Sequence, residues 1–489
     1  MADRWNLVVI GAGPGGYEAA IEGAKKGMKV ALVENRELGG TCLNRGCIPT
    51  KTILHTAELF HELKSGPSIG LMTGEAAVDM GVLQQRKEEV LSQLRAGIAS
   101  LMKSNKIAVY NGTGTILDRN RVKVAPPGEG ECVELETDHI LIATGSVPAC
   151  PPIPGADLPG VVTSDGLLDK KDMFKNLIII GGGVIGMEFA SVYSSLGHTV
   201  TVIEALDRIL PGMDKEIAQN LKMILKKRNV EIHTGAKVKE ILAEEDAVEE
   251  MAEDSAENMA EDTAEYSAEN PATIPGLICR YEEKGKACEA RADGILIATG
   301  RKAYTGGLIS AESSREIQDM AMERGRIITD SHHETSVPGI YAIGDVTGGI
   351  QLAHAATAQG RNAVAYMAGE EMAVRTDLVP SCVYTSPEIG CVGISVDEAK
   401  EQGISVTARK YLMSANGKSL LSGQERGFIK VIADSESHQI LGAQMMCARA
   451  TDMISQFTVA IANELTLEDV AKVIFPHPTF SEGIGEAVR

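Results

Sequence analysis

Two stretches of the chain share one pattern of apolar and polar positions. "NLVVIGAGPGGYEAA", Asn6 to Ala20, opens with the β-type run Leu7 to Ile10. It breaks at Gly11-x-Gly13-x-x-Gly16 and continues as a helix-like stretch, after which "KVALVE" ends at Glu34. "NLIIIGGGVIGMEFA" repeats the design from Asn176, with Gly181, Gly183 and Gly186, and "HTVTVIE" ends at Glu204. In each copy the acid stands 18 residues after the last glycine. A second echo pairs "DHILIATGS" (Asp138 to Ser146) with "DGILIATGR" (Asp293 to Arg301). Each predicts a buried strand running into a Thr-Gly turn. The Pro-rich "ACPPIPGADLPG", residues 149–160, cannot be a helix interior and predicts the crossing between the copies.

Strand, Gly-rich turn, helix, strand and acid together predict a dinucleotide site. The first glycine allows a tight turn, the second lets the backbone approach a pyrophosphate, and the third lets helix pack on strand. The helix N-terminus offers unpaired N–H groups to phosphates, and the acid accepts from ribose hydroxyls. One such glycine set arises for packing alone often enough to mean little; two, each with its acid, predict a chain that binds two dinucleotides. Glu204 predicts NAD rather than NADP in the second site, because a carboxylate repels a 2′-phosphate. Arg208 lies nearby, but one Arg beside an intact Glu is a poor phosphate clamp.

Composition narrows the class. The chain has 489 residues, 44% of them hydrophobic, and 51 glycines, which predicts a loop-rich α/β protein of several domains. The net charge of −20 argues against nucleic acid as a partner. No uncharged apolar run is long enough to span a membrane, and the first strand is expected so early that no leader segment is expected before it. Nine scattered cysteines, an odd number, suit a reducing cytoplasm.

Two of those cysteines stand out. "GGTCLNRGCIPTK", residues 39–51, sets Cys42 and Cys47 five positions apart. Structural zinc needs a second ligand pair, which is missing, so no metal is expected. Closing so short a loop would add little as a staple. A redox pair fits better. In a straight helix, Cα atoms five residues apart are about 8–9 Å from each other, and a disulfide needs roughly 4.4–6.8 Å. A bridge therefore requires a distorted segment, which Gly39, Gly40, Gly46 and Pro49 permit. The helix dipole and Lys51 or Arg45 are expected to stabilise its thiolate.

This stretch resembles the redox signature of the pyridine nucleotide–disulfide oxidoreductases, within them most closely the branch that oxidises dihydrolipoyl groups. The resemblance extends over Gly11 to Glu34, Gly181 to Glu204, "ATGR" at 298–301, "TSVPGIYAIGD" at 335–345, "QLAHAA" at 351–356 and "HPTFSEG" at 477–483. It implies an α/β chain with two Rossmann-like dinucleotide-binding domains, for FAD and NAD, plus a C-terminal α+β dimerisation domain. The expected divisions are 1–150 (FAD), 151–300 (NAD, with an acidic insertion at 244–271), 301–370 (return to the FAD and central part) and 371–489 (interface). FAD would be held by Gly11, Gly13, Gly16, Glu34, Gly114, Thr144, Gly145, Asp345 and Ala353, with Lys51 near the flavin. NAD would be held by Gly181, Gly183, Gly186, Glu188, Glu204, Val238 and Gly300. Cys42, taken as the more exposed sulfur, would meet the substrate and Cys47 the flavin. His477 would act as the base, oriented by Glu482, across a homodimer.

The resemblance implies oxidation of protein-bound dihydrolipoamide with reduction of NAD⁺. The partner would be a lipoyl-bearing protein of a 2-oxoacid or acetoin dehydrogenase complex or of the glycine cleavage system. Disulfide reductases of the glutathione or mercuric type are the alternative; the former usually carry Arg where Glu204 stands, the latter an extra cysteine pair near the C-terminus. Two departures remain. Phe475-Pro476 replaces a pair in which many members carry a second His. Residues 251–270 form five tetrads with Ala-Glu at a period of four, where members usually have a short turn. Residues 244–270 hold twelve Asp/Glu and no Lys, Arg or His, more than half of the charge excess. A helix there would stack five glutamates, four repulsions costing roughly 1–2 kcal/mol in total, so a solvated loop or fraying helix without a function of its own is expected.

Overall fold

A computed structural model describes residues 4–72, 74–244 and 276–489. The chain divides into two compact units, the first built from 1–52, 81–148 and 301–379 and the second from 53–80, 149–300 and 380–489.

The first unit is built on a sheet whose central strands run parallel in the order Ala108–Asn111, Val30–Glu34, Trp5–Ile10, Val133–Ile142, with Ile340–Ala342 on the last. Leu7, Val8 and Val9 are fully buried because this sheet is covered on both faces, so the strand reads as a continuous apolar run. Each such side chain contributes about 1.5–3 kcal/mol of burial. The Val133 end of its strand pairs antiparallel with Arg121–Ala125, which pairs antiparallel with Thr113–Asp118. The helices Pro14–Lys25 and Ala353–Met367 lie against each other through small residues: a Cβ on Gly15 would stand 3.1 Å from the Ala356 Cβ, and one on Gly360 2.9 Å from the Gly15 carbonyl oxygen.

The second unit repeats the parallel design in the order Val230–Thr234, Thr199–Glu204, Asn176–Ile180, Gly294–Ile297, Val161–Thr163. Residues 149–160 contain no helix. Ala236–Ala243, Leu277–Glu283 and Lys286–Ala292 form an antiparallel sheet, and the first two meet at Ala243 opposite Leu277. The period-four repeat at 251–270, expected as a loop or fraying helix, lies outside the described residues. The C-terminal part is a five-stranded antiparallel sheet in the order Ser381–Val383, Glu388–Gly393, Ile440–Cys447, Phe428–Asp434, Val406–Leu412. Helix Ala450–Ala462 rests on it at Gly390, where a Cβ would come within 2.7 Å of the Ala450 oxygen. Among the described residues, no helix is long and apolar enough to cross a membrane.

Candidate active site

The two glycine turns divide their labour identically. Gly11 (φ +105°) and Gly181 (φ +112°) sit where a Cβ would lie 2.4 Å from the carbonyl oxygens of Ala143 and Ala298, the next strand's end. Gly16 and Gly186 face back on the turn, at 1.9 Å and 2.1 Å from the Gly11 and Gly181 oxygens. Gly13 and Gly183 instead look into open space, with no atom within 4 Å of a Cβ. They are also the N-caps of helices Pro14–Lys25 and Val184–Leu196, and neither helix start is closed by a side chain. Backbone donors, a dipole end and room for close approach suit a pyrophosphate in each cradle.

The acids do more than the sequence pattern indicates. Glu34 accepts from the N–H of Ala12 (2.7 Å) and of Arg36 (2.8 Å). Glu204 accepts from the N–H of Gly182 and of Leu206 (2.7 Å). Each carboxylate thus latches the glycine turn to its own strand end, leaving further lone pairs for a ribose. Glu204 is buried, and Arg208 donates to the Pro211 carbonyl at 2.8 Å, so that guanidinium is turned into its own loop.

The remaining expected cofactor residues fall into two kinds. In the first unit, Gly145 (φ +70°) is open, Ala353 begins its helix, and Asp345 accepts from the Ser146 hydroxyl at 2.5 Å. Gly114 and Thr144 are committed locally. A Cβ on Gly114 would press on Ile10 (3.0 Å) and Val33 (3.3 Å), and Thr144 donates to the Tyr304 oxygen at 2.6 Å. In the second unit, Gly300 (φ +112°) is open, buried Glu188 accepts from Tyr384 N–H at 3.1 Å, and Val238 packs on the apolar cluster around Ile203 and Tyr281.

The cysteine stretch is broken as the spacing requires. One short helix, Gly40–Arg45, stops at Gly46, and a second, Cys47–Ser65, begins at the second cysteine. The side chains of Cys42 and Cys47 are close enough to hydrogen-bond, near disulfide distance. That bond to Cys47, with burial, holds the Cys42 thiol above its ordinary range, and Lys51 pulls the other way. Arg45 does not contribute, being paired with Glu37. Cys42 is half-buried and Cys47 exposed. Sequence reasoning passed over Asn44, which donates to the Leu38 (3.0 Å) and Gly40 (2.9 Å) oxygens and accepts from Arg95 (3.1 Å), pinning the loop that carries Cys42.

The structure joins His477 and Glu482. The ring Nδ1 is 2.8 Å from Glu482 Oε1, while Glu482 Oε2 accepts from Thr479 N–H at 2.8 Å. Those two contacts, the Thr479 amide first, hold the Glu482 carboxyl below its usual range. A carboxylate accepts only, so Nδ1 carries the proton and Nε2 is left as a base, on an exposed side chain. Asn416, unremarkable in the sequence, is buried and donates to the Thr479 oxygen at 3.0 Å, fixing this loop from beneath.

The chain is similar to known proteins along its whole length. It matches the family described as pyridine nucleotide-disulphide oxidoreductase over residues 5–360 and that family's dimerisation domain over 379–488. A dihydrolipoyl dehydrogenase of Bacillus subtilis is 39% identical, covering 100% of this chain and 98% of the relative. One from Haloferax volcanii is 36% identical, covering 100% and 96%. Among solved structures, LpdA of Mycobacterium tuberculosis superposes with a TM-score of 0.85 at 26% identity. The HOCl-induced flavoprotein disulfide reductase of Escherichia coli, as its Cu(II) complex, does so with 0.82 at 29%. Both cover 99% of each chain. Twin nucleotide cradles, a cysteine pair across a helix break and end-to-end similarity agree: the chain belongs to the pyridine nucleotide-disulphide oxidoreductase family.

Proposed function

We propose that the chain is a dihydrolipoyl dehydrogenase, an enzyme that oxidises a protein-bound dihydrolipoyl group and reduces NAD⁺. The observation that carries this reading is the oriented base, His477 held by Glu482, in a chain that also carries a vicinal thiol pair. A dithiol substrate needs its proton removed before it can attack a disulfide, whereas a carrier or scaffold subunit needs no such base. The full-length similarity to dihydrolipoyl dehydrogenases points the same way.

FAD would lie in the first cradle, on Gly11, Gly13, Gly16 and Glu34, with Gly114, Thr144, Gly145, Asp345 and Ala353 along it and Lys51 near its reactive end. NAD⁺ would lie in the second, on Gly181, Gly183, Gly186 and Glu204, with Glu188, Val238 and Gly300. The buried Glu204 and the self-engaged Arg208 favour NAD⁺ over NADP⁺. When bound, FAD supplies the two-electron chemistry that links the dithiol to NAD⁺.

His477 Nε2 takes a proton from one thiol of the substrate. The thiolate attacks Sγ of Cys42 in a Cys42–Cys47 disulfide, and Cys47 departs with the bonding pair. The second substrate thiol, deprotonated in turn, attacks the mixed disulfide and releases Cys42, so the substrate leaves oxidised and the cysteines reduced. The helix break supports this order. Cys47 stands at the start of the 19-residue helix Cys47–Ser65, where the dipole favours a departing thiolate. The better leaving group departs faster.

The dimerisation domain implies a homodimer, and in this reading His477 and Glu482 of one protomer serve the cysteine pair of the other. The partner is a lipoyl-bearing protein of a 2-oxoacid or acetoin dehydrogenase complex or of the glycine cleavage system, working in a reducing cytoplasm. The test is a purified-protein assay of dihydrolipoamide with NAD⁺ against NADP⁺, run beside glutathione disulfide with NADH and NADPH. Turnover of dihydrolipoamide with NAD⁺ is expected; its absence would sink the reading.

A further inference from the structure

The two "ATG" echoes end in Ser146 and Arg301, and in the first unit these two residues meet. Ser146–Pro148 and Arg301–Ala303 pair antiparallel, with Arg301 opposite Pro148. Arg301 Nε donates to the Ser146 hydroxyl at 2.8 Å, and its Nη2 donates to the Ser146 carbonyl at 2.8 Å. The Ser146 hydroxyl in turn bonds Asp345 Oδ2 at 2.5 Å.

This chain has only one direction. A guanidinium has no acceptor, so its Nε–H must use a lone pair of the hydroxyl. The hydroxyl has one proton, and that proton is left for Asp345. Oδ2 is thereby occupied by a donor, whereas Oδ1 has no partner among the described residues. The turn beneath is pinned separately: Gly344 N–H donates to Gln359 at 2.7 Å, and Thr347 donates to the Gly344 oxygen at 2.9 Å. Ser146 is 6% exposed, so water does not compete for its hydroxyl. A staple whose only task was to hold the short ladder would need the Nη2 bond to the carbonyl alone. The second bond, through the hydroxyl, acts on Asp345.

We propose that Arg301 and Ser146 are positioning residues that fix the Asp345 carboxylate with Oδ1 presented to the hydroxylated chain of the flavin nucleotide, and so set how tightly FAD is retained. The inference rests on the FAD reading of the first cradle. It predicts an effect confined to the flavin half of the ligand. ADP carries the adenosine diphosphate that Glu34 and the glycine turn would hold, and it lacks the hydroxylated chain that Asp345 would hold.

The experiment uses the full chain as wild type, S146A, R301K, D345N and the S146A/D345N double variant. FAD is removed, and FAD and ADP are titrated back by flavin fluorescence and calorimetry. S146A should weaken FAD binding about tenfold, the size of one charge-assisted hydrogen bond, and leave ADP binding unchanged. R301K keeps the charge but cannot form the fork; it should weaken FAD by a smaller factor, and it carries the test if S146A does not fold. D345N should weaken FAD at least as much, and the double variant no further, because Ser146 acts through Asp345. Unchanged FAD affinity in S146A and R301K overturns the proposal while leaving the FAD reading intact. Equal losses of FAD and ADP overturn it too, since they mean general loosening. A wild-type chain that takes up no FAD defeats the FAD reading itself, and the proposal with it.

Discussion

Single side chains here act mostly through what they hold in place. Glu482 decides which nitrogen of His477 is free. E482Q should therefore slow dihydrolipoamide oxidation by about 10²-fold or more, while NADH-driven reduction of an artificial acceptor, which bypasses the dithiol step, stays close to wild type. Equal losses in both assays would show that the loop has collapsed rather than lost a base. Because the Thr479 amide and His477 hold the Glu482 carboxyl below the usual carboxylate range, it loses its charge only at lower pH than an ordinary glutamate. Glu34 and Glu204 follow the same rule: the pattern presents each as a ribose ligand, and the fold adds a latch on the glycine turn. That second role was invisible in the sequence, since backbone N–H groups leave no mark on residue identity.

At the scale of elements, the glycine turns separate folding from binding. G186A places a methyl 2.1 Å from the Gly181 oxygen, a backbone atom that cannot swing aside. It should destabilise the chain by roughly 1–3 kcal/mol. G183A meets nothing within 4 Å and has φ −75°, so stability should stay within about 0.5 kcal/mol. NAD⁺ affinity should nevertheless fall, because the methyl occupies the approach to the phosphates. Chemical denaturation and NAD⁺ titration of both variants check the contrast. Helix Cys47–Ser65 supplies a pH-dependent counterpart. Burial, then the charges of Glu388 and Glu62, push the Glu58 carboxyl up to about 7 against Arg449 and Arg228. A raised carboxyl binds its proton more tightly in the folded chain, so stability falls as pH rises from about 4.5 through 7. E58Q should stabilise the protein by about 1–2 kcal/mol at pH 8, after allowance for partial exposure, and by little near pH 4. Melting temperatures across that range test it; a constant difference would refute it.

For the whole molecule, the acidic insertion raises the question of what the fold requires. Its flanking strands are already closed on each other. Ala243 pairs with Leu277, and Glu244 N–H donates to the Gly276 oxygen at 2.8 Å. Replacing residues 245–275 by a two-residue turn should therefore leave melting temperature and dihydrolipoamide turnover close to wild type, because hairpin register is set by the paired strands. Loss of NAD⁺-linked activity with FAD retained would show instead that the segment serves the second cradle.

Local pattern alone determined the strands, the paired glycine turns, the acids 18 residues on, the Pro-rich crossing and the need for a break between Cys42 and Cys47. These depend on backbone conformation and side-chain period, both of which are written in neighbouring residues. Only the folded structure decided that Arg45 is spent on Glu37 and that Cys42 is half-buried against Cys47. It also placed Asn416 under the His477 loop and brought Arg301 through Ser146 to Asp345. The last two rest on hydrogen bonds between residues far apart in the chain, Asn416 and Thr479 by 63 positions and Ser146 and Asp345 by 199, and such pairings exist only once the elements that carry them have been laid side by side.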